Sequence, residues 1–153
     1  MPAVSLYDWL LFLHVLAAFA AVAAVVLLSV VLAASWRSVG IVDAAPFLRM
    51  STLGSRLWDV GGAGTLIFGI WLAVYVEGYE LWDGWILAAL VLWAIAAAAG
   101  IRVGAGFRRA FGADTGHGEL GGSIRSQRAL IVHAVMALAV AALLVVMIYK
   151  PGA

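Results

Sequence analysis

The stretch from residue 10 to residue 28 reads LLFLHVLAAFAAVAAVVLL, and it decides the class of fold. It contains no charged residue, and His14 is its only polar side chain. It belongs to an apolar run over about 6–34, whereas a membrane-spanning helix needs about 20 such residues. Three further runs, over about 57–76, 85–101 and 129–149, have the same character. We therefore predict an all-α polytopic membrane protein, an up-down bundle of four transmembrane helices that forms a single domain over 1–153.

The composition supports this class. The chain has 153 residues, of which 66% are hydrophobic and 11% charged, against about 25% charged in an ordinary soluble domain. A soluble fold of this size could not bury so much apolar surface. The absence of cysteine excludes disulfides, thiolate catalysis and iron–sulfur clusters. Since no hydrolase motif is present either, an enzyme is the less expected class, and we expect the lipid bilayer, not nucleic acid, as partner.

The arginines predict the orientation in the membrane. All of them lie between the first and second runs or between the third and fourth, whereas the other side carries Asp8, Glu77, Glu80, Asp83 and Lys150. Loops rich in arginine stay in the cytoplasm. Both termini are therefore predicted outside and both arginine-rich loops inside. No basic residue precedes the first run, so we expect a retained helix and not a signal peptide.

Small residues at helical spacing predict how the helices pack. Membrane helices approach each other closely at such residues because lipid gives them little hydrophobic reason to associate. The ridges comprise Ala17, Ala21 and Ala24 in the first run, Gly61, Thr65 and Gly69 in the second, and Ala89, Ala96 and Gly100 in the third. So many small faces also predict a homo-oligomer or a complex with other membrane subunits.

The segment before the second run has its own helix signal. Asp43 and Pro46 are typical of a helix start, and the apolar residues that follow, among them Met50 and Leu53, predict a helix on the membrane surface. The glycine-rich segment 112–122, which contains His117, lacks the spacing of a phosphate-binding loop.

His14 and His133 are the candidate cofactor ligands, because neutral imidazole is a common ligand of metals and of haem iron. The alternative for each is a hydrogen bond across the bundle, and Met136, one turn from His133, is expected to pack. The two histidines are expected at heights that differ by roughly 13 Å, given a membrane core of about 30 Å. Two sites, or one site and one structural histidine, are therefore predicted.

Three charged residues are candidates for a supporting role. Asp59 follows Arg56 by three residues, which favours a local ion pair, although Asp59 could instead orient the His133 ring. Lys150 near the outer end could extend to lipid headgroups or bind an anionic group.

The quoted stretch, together with GTLIFGIWLAV at 64–74 and LIVHAVMALAVAALLVVMIYKPG at 130–152, resembles small bacterial integral membrane proteins. These sequences are distantly similar to the haem-binding protoporphyrinogen-oxidase-like family and to the membrane domain of the copper-resistance D family. The resemblance implies a four-helix core in the bacterial cytoplasmic membrane, a functional His14 and b-type haem. Because the third run lacks the lysine that the oxidase-like proteins use, we do not carry over porphyrinogen oxidation.

Three functions follow as hypotheses. The first is a haem-carrying redox component with His14 as ligand and His133 as a second ligand or the ligand of another haem. The second is a non-catalytic structural or accessory subunit. The third is a proton or small-solute pathway through His14, His133 and Asp59, which the apolar centre of the helices disfavours.

Overall fold

The computed structural model describes residues 5–37, 44–76, 79–80, 82–112 and 126–150. Over these ranges the regular structure consists of four α-helices: α1 (Leu6–Arg37), α2 (Ala44–Tyr75), α3 (Gly84–Gly112) and α4 (Gln127–Tyr149). The all-α four-helix prediction is confirmed. The glycine-rich segment with His117, together with Asp43, Glu77 and Arg125, lies outside the described residues.

All four helices are long and apolar enough to cross a membrane. The qualifying stretches contain 31, 27, 26 and 23 residues. Even the shortest is about 35 Å long, which exceeds a hydrocarbon core of about 30 Å. Large apolar side chains such as Val26, Val60 and Leu138 are exposed on the outside of the bundle. The outer surface therefore resembles that of a multi-pass membrane protein.

The small residues of α1 and α2 face each other, as predicted. A Cβ added at Gly61 would lie 2.5 Å from the backbone N of Ala21 and 2.9 Å from the carbonyl O of Ala17. Gly69 lies against His14, near the beginning of α1, and Gly54 lies against Leu28, near its end. The two helices are therefore antiparallel and in backbone contact.

Tryptophans connect α2 to α3. The Trp58 indole occupies the space that a side chain at Gly100 would need, and Trp93 Nε1 donates a hydrogen bond of 3.0 Å to the carbonyl of Gly62. Ala89 and Ala96 of α3 are buried. Since all three predicted ridges pack within one chain, they give no reason of their own for a second copy.

The contacts establish the up-down topology. The side chain of Lys150, at the end of α4, reaches Tyr79, which lies between α2 and α3, and Tyr7 of α1 lines the same cavity. The beginning of α1 and the end of α4 therefore lie at one end of the bundle. The arginines of the described residues lie toward the other end, where α2 and α4 begin and α3 ends.

The prediction of a separate helix on the membrane surface before the second run is wrong. Residues 44–56 form the first turns of α2 without interruption. Ser51 and Gly54 are buried, and Gly54 contacts Leu28 of α1. This segment is helical because its small residues continue the α1–α2 contact, so it does not separate from the bundle. The third helix is also longer than its apolar run, since α3 continues to Gly112.

Candidate functional site

A cavity of about 640 Å³ lies in the half of the bundle where α1 begins and α4 ends. Its volume is within the range of about 300–1,000 Å³ that is usual for small-molecule and cofactor sites. All four helices contribute to its wall, which is mainly apolar and aromatic. The polar and aromatic members of the wall are Tyr7, His14, Phe19, Thr65, Tyr79, Trp85, Trp93 and Lys150.

The hydrogen bond of His14 determines which ring nitrogen can bind a ligand. Nδ1 lies 3.1 Å from the carbonyl O of Thr65. A carbonyl only accepts, so Nδ1 carries the proton and donates it, and Nε2 of the neutral ring keeps its lone pair. Within the described residues, Nε2 has no hydrogen-bond partner. A histidine oriented through Nδ1 to a backbone carbonyl is the usual arrangement of a ligand that binds through Nε2.

The sequence of α2 positions this ring. A Cβ at residue 69 would lie 3.0 Å from Cε1 and 3.3 Å from Nδ1 of His14, so Gly69 makes room for the imidazole. Thr65 donates its hydroxyl proton to the carbonyl of Gly61 at 2.7 Å, and its backbone carbonyl accepts from His14. The predicted ridge therefore serves both helix packing and the orientation of His14.

Lys150 places a cation at the cavity. Its Nζ donates to the hydroxyl of Tyr79 at 2.8 Å, 4.9 Å from the centroid of that ring and 5.5 Å from the Trp85 ring. The backbone of Lys150 is left-handed, with φ 39° and ψ 61°, and its N–H closes α4 by bonding to the carbonyl of Val146. The end of the helix thus directs the only lysine of the chain to the cavity.

Trp85 is the site residue whose role the sequence did not indicate. Its side chain is 5% exposed, and its indole Nε1–H is buried without a hydrogen-bond acceptor in the described part of the chain. An unsatisfied buried donor is costly. Trp85 and Tyr79 have the sequence pattern of interfacial aromatics, and only their contact with Lys150 distinguishes them.

His133 has the opposite bonding pattern. Ser29 Oγ donates to the carbonyl of Val25 at 2.7 Å, so its lone pair accepts from His133 Nε2–H, also at 2.7 Å. The bond joins α4 to α1. His133 Nδ1 is buried and has no partner among the described residues. Met136, one turn along, is fully buried in the packed core.

The two histidines do not share a site. Ser29, the partner of His133, lies about 22 Å along α1 from His14 at about 1.5 Å per residue. This separation is larger than the expected 13 Å because the helices extend well beyond the apolar core that the estimate assumed. Among the described residues no group of three or more His, Asp or Glu side chains could hold a metal ion. His14 and His133 therefore belong to two separate environments.

The other supporting candidates lie elsewhere. Asp59 is exposed on α2, and the partner of His133 is Ser29 instead of Asp59. Arg56 is exposed as well, and neither residue lines the cavity. Of the three predicted supporting residues, the structure places only Lys150 at the cavity of His14.

No protein-family model matches the chain, and neither a curated protein nor a solved structure matches it significantly. The functional argument therefore depends on the geometry of this site.

Proposed function

We propose that this chain is a haem-binding redox component of the bacterial cytoplasmic membrane, with a b-type haem in the cavity and His14 as its axial ligand. The observation that carries the proposal is the His14–Thr65 hydrogen bond. It leaves an unprotonated Nε2 on the one histidine among the cavity-lining residues, which are otherwise mainly apolar. Neutral imidazole with a fixed tautomer is the usual axial ligand of haem iron.

The remaining wall suits an amphiphilic cofactor with carboxylate groups. The apolar lining would contact the macrocycle, and the Lys150 ammonium would pair with a propionate. The buried Trp85 N–H, which lacks an acceptor within the described residues, would find one in the same carboxylate. When bound, a haem supplies one-electron chemistry, while the chain holds the iron, pairs with the carboxylate and excludes water.

The position in the membrane is part of the proposal. The four apolar helices and their apolar outer faces support a multi-pass arrangement in contact with lipid. The grouping of arginines at one end of the bundle supports a cytoplasmic location for that end, with both termini outside. The cavity of His14 would then open near the outer surface.

The competing functions have less support. An accessory subunit in a homo-oligomer or a larger complex needs only the apolar outer faces, and it gives no role to the His14 tautomer. A proton or solute pathway would have to connect His14 to His133. The buried residues between them on α1, among them Ala21, Ala24 and Leu28, are apolar and closely packed.

Optical spectroscopy tests the proposal. The chain is expressed with added haem, purified in mild detergent, and recorded in the oxidised and dithionite-reduced states. We expect a Soret band that His14→Ala abolishes and that the matched control His133→Ala retains. A wild-type protein without visible absorbance, or a band that survives His14→Ala, would refute the haem proposal and favour the accessory-subunit function.

A further inference from the structure

A second cavity lies at the arginine-rich end of the bundle, far from His14. Its volume is about 530 Å³, and it is located between the end of α3 and the beginning of α4. Arg102, Arg109 and Arg128 line it. The described residues of its wall include no Asp or Glu. Three arginines around one cavity give it a positively charged wall, which suits an anion.

The helices place these guanidinium groups together. Arg102 and Arg109 are seven residues apart, so they lie on the same face of α3, with Gly106 between them. Arg128 is in the first turn of α4, two residues after the N-cap Ser126. The beginning of α4 adds the partial positive charge of a helix N-terminus. Arginine is suited to phosphate because its planar donors bind two oxygens at once.

Apart from the arginines, Ser126 and His133, the described residues of the wall are apolar or glycine. Leu32 of α1 and Val103 and Phe107 of α3 are buried side chains that line the same cavity. Gly106 keeps space open, since a Cβ added there would meet no atom within 4 Å. An inorganic anion gains no binding energy from apolar side chains, whereas a lipid has a phosphate and an apolar chain close together. Basic pockets between membrane helices bind anionic headgroups for this reason.

We propose that this cavity binds the phosphate headgroup of an anionic phospholipid through Arg102, Arg109 and Arg128. The site is separate from the cavity of His14, and it does not depend on haem binding. It assigns the arginines a specific ligand in addition to their effect on orientation.

The test measures the binding of phosphatidylglycerol and of phosphatidylcholine to the purified full chain by native mass spectrometry in detergent. The wild-type protein is expected to retain phosphatidylglycerol in preference to phosphatidylcholine. The triple variant R102Q/R109Q/R128Q should weaken phosphatidylglycerol binding roughly 100-fold, since each arginine near an anionic lipid contributes about 1 kcal/mol. The charge-matched control is R49Q/R56Q/R108Q, whose arginines do not line the cavity.

A second variant removes space instead of charge. Gly106→Leu keeps every arginine and adds a side chain at a residue that lines the cavity, where a Cβ meets no other atom. It should weaken lipid binding at least tenfold while the helical circular dichroism stays unchanged. If the triple variant fails to fold, lipid binding by Gly106→Leu tests the proposal. Equal losses in the triple variant and its control, or full binding by Gly106→Leu, would overturn the proposal. Displacement of the lipid by millimolar inorganic phosphate would identify a soluble anion as the ligand and would also overturn it.

Discussion

The core around Met136 is closely packed and includes all four helices, whereas the half of the bundle that contains His14 surrounds a cavity. Around His133 and Met136, one continuous core includes residues from all four helices. In the other half, a smaller cluster of buried residues contains Ala73, Trp85 and Ile86. The same four helices therefore pack closely around Met136 and leave space for a ligand around His14, while the second cavity lies between α3 and α4 at the arginine-rich end.

The difference between the packed core and the cavity follows from where the helices contact each other and where they do not. Gly61 brings α1 and α2 into backbone contact near the middle of the bundle, and Ser29 bonds to His133 where α1 meets α4. Toward the other end, large side chains of α1 and α4 such as Phe19 and Leu144 line a gap.

The histidines differ in the same way. His133 uses Nε2 for a structural hydrogen bond that joins α4 to α1, so this nitrogen is not available to a ligand. His14 uses Nδ1 for a backbone carbonyl and keeps Nε2 available at the cavity. Histidines of similar sequence context thus have different hydrogen-bond patterns.

Gly61→Ala should have the largest effect on the packed contact. The new Cβ would collide with the backbone of Ala17 and Ala21, which cannot move independently of α1. We expect a loss of about 3 kcal/mol in the free energy of unfolding, at the upper end of overpacking effects. The matched control is Gly62→Ala, whose Cβ would meet its nearest neighbour, Trp58 Cε2, at 3.9 Å. Thermal unfolding in detergent compares them, and equal stability of the two variants would contradict the packing account.

Gly69→Ala also adds a methyl group to a glycine of α2, but beside the cavity of His14. Its Cβ would lie 3.0 Å from the His14 ring, a side chain that can rotate into the cavity. We therefore expect little change in the unfolding temperature but roughly a tenfold weaker haem affinity, about 1.4 kcal/mol. Haem titration followed at the Soret band measures this. Wild-type affinity in Gly69→Ala would mean that the orientation of His14 is unimportant.

Ser29→Ala tests the hydrogen bond between Ser29 and His133, which joins α1 to α4. It removes the acceptor of His133 Nε2–H, and hydrogen bonds between membrane helices are worth about 0.6–1.7 kcal/mol. We expect a loss of about 1 kcal/mol in unfolding free energy with unchanged haem affinity. A change in the Soret band would show that the two halves are coupled.

Trp85→Phe should have the smallest effect on stability, and the sign of that effect should depend on whether haem is bound. It keeps an aromatic ring and removes the buried indole N–H that lacks an acceptor in the described residues. Without haem, stability should be equal or slightly higher, because a buried unsatisfied donor is destabilising. With haem, the variant should gain less stability than the wild-type protein. An equal gain in both proteins would exclude an interaction of Trp85 with the ligand.

Periodicity and small-residue spacing predict much of this fold. The ridge of Gly61, Thr65 and Gly69 lies against the face of α1 that contains Ala17, Ala21 and His14, as the spacing indicates. The beginning of α2 is not predictable in this way. An amphipathic segment is equally compatible with a membrane surface, and only the contact between Gly54 and Leu28 selects the bundle.

The candidate site is less accessible to sequence reasoning. The sequence identifies His14 because a lone polar residue in an apolar helix stands out. It does not identify the Thr65 carbonyl that orients the ring, because every residue has a carbonyl. Nor does it pair Lys150 with Tyr79, which is 71 residues away along the chain. Such contacts depend on how the ends of four helices meet in space.

The most direct test of the central claim is chemical rescue of His14→Gly. This variant removes the imidazole and leaves its space beside Gly69. The account predicts that it binds no haem alone, and that added imidazole restores a Soret band at the wild-type position. The variant His133→Gly should bind haem with or without imidazole. A His14→Gly protein that binds haem without imidazole, or that imidazole cannot rescue while the wild-type protein binds haem, would contradict the assignment of His14 Nε2 as the ligand.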